Sequence, residues 1–200
     1  MNMVCLDLEG VLVPEIWITF SDATGIGELR RTTRDEPDYD KLMNFRLDIL
    51  KKHNLKLPDI QNVISKMEPL EGAIEFSNAL REKTQLVILS DTFDQFAKPL
   101  MEKLSWPTLF CNTLEVAQDG TVKSYRLRQQ NGKCEAVKTF KNMKMRIFAA
   151  GDSFNDLAMI READCGCLFR APEQIRKDCT DLACVDTYDN LLAEIDKFLG

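Results

Sequence analysis

The chain has 200 residues, 44% hydrophobic and 29% charged, an ordinary globular composition with enough length for one domain plus an inserted subdomain. With 26 basic against 32 acidic residues the net charge is −6 and no basic block occurs, which argues against nucleic acid and anionic membrane as partners and leaves a homo-oligomer open. The 7 cysteines form no C-x-x-C pair and several sit in apolar runs, so they read as reduced thiols and point to the cytoplasm; no stretch of about 18 apolar residues predicts a membrane span.

The first apolar run, Val4-Cys5-Leu6-Asp7-Leu8-Glu9-Gly10-Val11-Leu12, predicts a buried central strand that delivers Asp7 and Glu9 to its carboxyl end. In open α/β sheets that end is where ligands bind. Two acids so close repel unless a cation or a proton intervenes, so the pair points to a Mg²⁺ site or to acid/base work.

From Pro14 to about Met67 the pattern turns helical, which predicts an insertion over residues 14–68 between the parts of a core formed by 1–13 and 69–200. Pro14 suits a first helical turn, Gly25 a C-terminal cap, and Pro58 opens a short helix that carries Ile60, Val63 and Ile64. In the helix from Asp38 to about His53, Arg46 lies three or four residues from Leu42, Met43, Ile49 and Leu50, in the middle of the apolar stripe. A guanidinium there needs an anion, either a substrate carboxylate or an internal acid. Glu15 reads either as a contact for a substrate amine or as an acid placed for the helix dipole.

After Pro69 helices and strands alternate. Gly72 to Lys83 predicts a helix and Gln85 to Leu89 a strand ending in Ser90-Asp91-Thr92, a hydroxyl and backbone amides that could cradle phosphate or, more simply, cap the helix from Phe93 to Leu104. Cys111 to Val116 and Val122 to Leu127 flank Asp119-Gly120 and predict a hairpin with a type I′ turn, a flap beside the sheet. Lys133 opens a helix that ends near Asn142, where the dipole disfavours a cation unless an anion faces it. The strand Met145 to Ala150 ends in Gly151-Asp152-Ser153-Phe154-Asn155-Asp156. A helix to Ala163, a strand at Cys165 to Phe169, a Pro172-led helix, a strand near Ala183 to Val185 and a Thr187-capped helix complete the chain.

These strand-end clusters follow one order: D-x-E, Ser, Lys, then GDxxND. The set resembles the haloacid dehalogenase superfamily, and the whole chain is similar to its phosphoserine phosphatase branch, whose helical cap lies between the first two motifs. The resemblance implies a Rossmann-like α/β core with parallel strands, an inserted helical cap and a hairpin flap. It implies a Mg²⁺-dependent phosphomonoesterase acting on the small molecule O-phosphoserine. Asp7 would be the nucleophile that becomes an aspartyl phosphate and Glu9 the general acid/base. Mg²⁺ would be held by Asp7, the Glu9 backbone carbonyl and Asp152, with Asp156 in support. Ser90 and Lys133 would bind the phosphoryl oxygens, Asn155 would hold phosphate or the substrate side of the site, and Glu15 and Arg46 would contact the substrate amine and carboxylate.

Two positions depart from the wider family. Glu9 stands where the second acid is usually Asp, and Asp91-Thr92 where phosphoserine phosphatases usually carry Gly-Gly, which sets Asp91 beside the phosphate loop. DLEGVL and LSDTF are similar to the narrower family of bifunctional phosphoserine phosphatase/homoserine phosphotransferases, which implies transfer to homoserine as a second activity. The alternatives are a plain small-metabolite phosphatase, or a phosphoaspartate receiver domain, in which the acidic pair would precede the hydroxyl and the lysine.

Overall fold

The computed structural model describes residues 1–200. Strands β1 (Asn2–Leu6), β2 (Gln85–Phe93), β3 (Thr108–Val116), β4 (Val122–Arg126), β5 (Arg146–Gly151), β6 (Cys165–Phe169) and β7 (Ala183–Val185) form one seven-stranded sheet in the order β4-β3-β2-β1-β5-β6-β7. The central strand is β1, parallel to β2 on one side and β5 on the other. Its residues alternate between two apolar layers. Val4 and Leu6 join the helices α4 (Ala73–Lys83), α5 (Asp94–Lys103) and α9 (Tyr188–Leu199); Met3 and Cys5 join α6 (Gly132–Asn142), α7 (Leu157–Glu162) and α8 (Glu173–Asp178). A strand covered on both faces must be apolar on both, which is why the run is unbroken in the sequence. The chain steps from β1 outward to β2 and β3 and returns to β5 on the far side, so the connections diverge at the β1/β5 pair, directly below Asp7 and Asp152.

Between β1 and α4 lie α1 (Ile16–Thr24), a 3₁₀ turn (Gly27–Arg30), α2 (Tyr39–Lys52) and α3 (Leu57–Ile64). Gly25 caps α1 with φ 70°, as its position predicts. Pro14 falls ahead of the helix instead of in its first turn, because Glu15 occupies the cap position. The helical pattern is also interrupted: residues 31–38 form an irregular loop that ends where the Asp38 side chain accepts the Lys41 N–H at 3.1 Å and starts α2. The Leu70 N–H donates to the Leu12 carbonyl at 2.9 Å, so the segment leaves and rejoins the sheet at adjacent points. Trp17, Phe20, Leu29 and Met43 belong to the same cluster of 36 buried residues as Val4 and Leu6, so the segment shares the core of the sheet. No helix is long and apolar enough to cross a membrane, and all 7 cysteines are free thiols.

Beyond Leu89, β2 continues to Phe93 with a shift in its register against β3. Such an irregularity re-aims side chains at a strand end, here those of Ser90, Asp91 and Thr92. The helix α5 starts only at Asp94, so Ser90 is not its cap; the Ser90 hydroxyl accepts the Thr92 N–H at 3.2 Å. The hairpin also differs from its expected form. Strand β3 starts at Thr108, pairs first with β2 and then with β4, and so extends the edge of the sheet instead of lying beside it. Its turn is not type I′, which needs positive φ at both central residues. Only Gly120 has one, at 85°, and the Asp119 side chain accepts the Thr121 N–H at 3.1 Å, an arrangement that keeps Asp119 in ordinary space.

The turn supports the helical segment. The Leu57 N–H donates to the Gly120 carbonyl at 2.9 Å and Lys56 pairs with Asp119 at 3.1 Å. A Cβ on Gly120 would lie 3.2 Å from Pro58 Cδ on a backbone that L-residues rarely adopt. Gly120→Ala is therefore expected to lower stability by about 1–2 kcal/mol in urea unfolding. An unchanged midpoint would show that the turn relaxes freely.

Candidate active site

Asp7 is the first residue beyond β1, and its N–H still donates to Ala150 of β5 at 3.0 Å. The carboxylate turns back on the chain, where Oδ1 accepts the Leu8 N–H at 2.7 Å and lies 2.9 Å from Lys133 Nζ. Lys133 sits in the first turn of α6 and is 5% exposed, at the helix end that repels a cation. Three acids explain its placement: besides Asp7, Asp156 Oδ1 lies at 2.7 Å and Asp91 Oδ2 at 3.6 Å. Burial alone would lower the ammonium's pKa, but Asp156, Asp7 and Asp91 outweigh it and hold it well above its ordinary value.

Asp156 is the tie beneath the site. Its Oδ2 accepts the N–H groups of Asp152 and Ser153, both at 3.1 Å, and the Ser153 hydroxyl at 3.0 Å, while Oδ1 takes Lys133. Two glycines allow these acids to approach. A Cβ on Gly151 would fall 2.3 Å from Asp156 Cγ, and one on Gly10, whose φ is +76°, would fall 2.6 Å from Asp152 Cγ.

Asp7, Asp152 and Asp156 each place a carboxylate oxygen within 4.8 Å of the others, and all three are buried. Burial and then Asp156 push Asp7 well above the usual carboxylate range, against the pull of Lys133. Burial, Asp156 and Glu15 push Asp152 up to about 7, opposed by Arg34 and Lys133. Negative charge is thus concentrated beyond what the local cations relieve, and the Glu9 carbonyl accepts no hydrogen bond. An all-oxygen set of this kind fits a hard divalent cation.

Of the ten residues that the sequence singles out, nine line one chamber of about 80 Å³; Asp156 lies underneath it. The Glu9 Oε2 accepts the Ile16 N–H at 2.8 Å and so holds the first turn of α1. Burial, then Glu15, raise the Glu9 carboxyl to about 7, while the Ile16 N–H, Arg46 and Lys133 oppose the rise. A carboxyl poised there can give and take a proton near neutral pH. The Glu15 side chain makes no cap bond and lies 4.0 Å from Arg34.

Arg46 is buried with no internal ion pair, which removes one of its two readings. Its Nη2 donates to the Arg31 carbonyl at 2.9 Å, the guanidinium lies 4.6 Å above the Trp17 ring, and Nε has no partner. Burial lowers its pKa to about 10, with Glu9, Tyr39 and Glu15 acting against the fall. Ser90 is buried beside Asp91, whose Oδ2 accepts the Asn155 amide at 2.8 Å. The Asp91 carbonyl accepts from Tyr39 Oη at 3.0 Å and Asn112 Nδ2 at 3.1 Å, which joins α2 to the sheet.

Trp17, Arg34 and Tyr39 also line the chamber, and the sequence reading missed them. Arg34 sits in a charged loop without apolar period, which looks like solvated chain. Tyr39 follows a helix cap, and only its position after Asp38 marks it.

In the metal-free protein Glu9 and Asp152 have folded pKa values of about 7 against ordinary values of 4.5 and 3.8. The folded state then binds more protons than the unfolded one across that window, and this contribution to stability is lost as pH rises through about 7. With chelator present, the melting temperature is expected to fall between about pH 5 and pH 8, and Mg²⁺ is expected to raise it most at the upper end. A melting temperature that climbs over this range would contradict the assignment of these two acids.

Known proteins share this chain's fold and much of its sequence. A family model described as haloacid dehalogenase-like hydrolase matches residues 1–164. The chain is 53% identical over 194 residues to the phosphoserine phosphatase ThrH of Pseudomonas aeruginosa, covering 97% of this chain and 95% of that one. It is 54% identical over 196 residues to a phosphoserine phosphatase of Pseudomonas syringae pv. tomato, covering 98% and 83%. Among solved structures, a phospho-aspartyl intermediate analogue of phosphoserine phosphatase superposes with a TM-score of 0.74 at 23% identity, over 100% of this chain and 99% of that one, which shows a common fold. The chain belongs to the haloacid dehalogenase-like hydrolases.

Proposed function

We propose that this enzyme is a Mg²⁺-dependent phosphoserine phosphatase that works through a phosphoaspartate on Asp7 and passes the phosphoryl group to homoserine as well as to water. The observation that carries the reading is Arg46: a buried guanidinium with a free Nε and no acid partner, in one small chamber with Glu15 and Asp7. That set offers a cation for a carboxylate, an acid for an amine and a nucleophile for a phosphoryl group. The relatives at 53% and 54% identity carry the name phosphoserine phosphatase.

Residues 14–68 act as the cap over a core made of 1–13 and 69–200, supported by the Leu12–Leu70 closure and by the Tyr39 bond to Asp91. Mg²⁺ bound to Asp7, the Glu9 carbonyl and Asp152 would offset the charge of the phosphoryl oxygens. Lys133 and Ser90 hold those oxygens from the sheet side, and Asn155, which also lines the chamber, holds phosphate or the substrate side of the site. An Asp7 oxygen attacks phosphorus in line with the departing serine oxygen, and Glu9 gives that oxygen its proton. Glu9 then takes the proton of the attacking water or homoserine hydroxyl, Asp7 is released as carboxylate, and phosphate or O-phosphohomoserine leaves. Homoserine differs from serine by one methylene, so Glu15 and Arg46 suit it too. A positioned alcohol competes with water through proximity, with effective molarities of roughly 10⁵ M or more in favourable systems. The longer Glu9 meets its displaced hydroxyl. The free thiols suit a reducing cytoplasm.

The test incubates enzyme and Mg²⁺ with phosphoserine and homoserine and follows products by ³¹P NMR. Phosphate and O-phosphohomoserine are both expected; phosphate alone at saturating homoserine removes the transferase half, and no turnover of phosphoserine removes the whole reading. Arg46→Ala is expected to raise KM for phosphoserine roughly tenfold to a hundredfold, the loss of a charged hydrogen bond, while KM for p-nitrophenyl phosphate stays put. Equal losses on both substrates would give Arg46 a structural role instead.

A further inference from the structure

Arg34 has no role in the scheme above, yet it is a chamber cation that pairs directly with Asp152, a proposed metal ligand. Its Nη2 lies 3.0 Å from Asp152 Oδ2, and Glu15 Oε1 is 4.0 Å away. The loop that carries it is braced internally: the Thr32 N–H donates to Asp35 Oδ2 at 2.9 Å and the Arg34 N–H to Thr32 Oγ1 at 3.2 Å. This turn presents the side chain to the chamber from the helical segment, opposite in origin to Lys133 and Ser90, which belong to the sheet layer. The guanidinium is 44% exposed, against 7% for Asp152, so its side chain is free to change partner while the acid is not.

We infer that Arg34 is a phosphoryl-contacting residue that exchanges partners, neutralising Asp152 in the metal-free protein and turning to the phosphoryl oxygens once a divalent cation takes that carboxylate. The inference rests on the metal-site reading given above. A carboxylate oxygen bound to a dication has little charge left for a guanidinium, and the two cations repel. The freed side chain lines the same chamber as Asp7, Ser90 and Lys133, and carries five N–H donors in a fork that matches tetrahedral oxyanions. Arg34 thereby couples the charge state of the site to the position of its loop: the segment closes on Asp152 when the site is bare and on the phosphoryl group when it is loaded.

The test uses the whole enzyme and two probes. In calorimetry with Mg²⁺ alone, Arg34→Ala is expected to bind the metal more tightly than the wild type, by about fivefold, since a partly exposed competitor has gone. Arg34→Lys, which keeps the charge, should stay near the wild type in this arm. In a ³¹P NMR titration with inorganic phosphate in the presence of Mg²⁺, Arg34→Ala is expected to bind phosphate roughly tenfold more weakly or worse. An alanine variant that binds Mg²⁺ no more tightly, or phosphate no less tightly, overturns the exchange. A wild type that binds no Mg²⁺ overturns it as well, together with the metal site on which it rests.

Discussion

The ammonium of Lys133 is the charge around which the site is built. Burying acids as close as Asp7 and Asp156 is costly in a low-dielectric interior, and one cation at 2.9 Å and 2.7 Å from their oxygens offsets much of that cost. The surrounding backbone accommodates the cluster. Gly10 and Gly151 leave the space that Asp152 and Asp156 fill, and the amides of Asp152 and Ser153 close on Asp156. Asp152 and Glu9 remain under-compensated, with values near 7 that burial imposes on both. That residual negative charge is the physical reason for assigning a divalent cation to this end of the sheet.

The helical segment is tied to the chemistry at several points. The Glu9 carboxylate holds the first turn of α1, the Tyr39 hydroxyl reaches the Asp91 carbonyl, and Arg34 pairs with Asp152. Trp17 performs two tasks at once, packing edge-on against Phe96 of α5 and lying beneath the Arg46 guanidinium. The segment therefore shares both its apolar core and its polar contacts with the sheet, so a shift of α1 or α2 would alter the surroundings of Glu9 and Asp91 together. In the proposed reaction this coupling is what lets the cap report the state of the phosphoryl site.

Asp91 gathers contacts that a glycine could not make. A glycine at this position would offer only backbone. The carboxylate instead accepts from Asn155 at 2.8 Å and lies 3.6 Å from Lys133, while its carbonyl gathers Tyr39 and Asn112. Residues from four separate parts of the chain meet on it. Its neighbour Thr92 has a buried hydroxyl without a partner, for which the structure offers no account.

The sequence by itself determined the order of strands and helices, the carboxyl-end positions of Asp7 and Asp152, and the unusual setting of Arg46, because apolar period and strand-end chemistry are local properties of the chain. Two-sided burial made β1 legible as an unbroken run, and the misplaced cation at the start of α6 already called for an anion. The turn of the hairpin escaped because Asp-Gly serves both a two-residue type I′ turn and a three-residue loop, and the Asp119 side chain decides between them by its bond to Thr121. The continuation of β2 past Ser90 escaped because it depends on pairing with β3, a partner distant in sequence. Only the tertiary structure decided that Arg46 has no acid partner, that Asp156 spends both oxygens within the protein, and that Arg34 reaches Asp152 across 118 positions. Those outcomes depend on distances between segments that share no periodicity, and only packing of the helical segment against the sheet sets them.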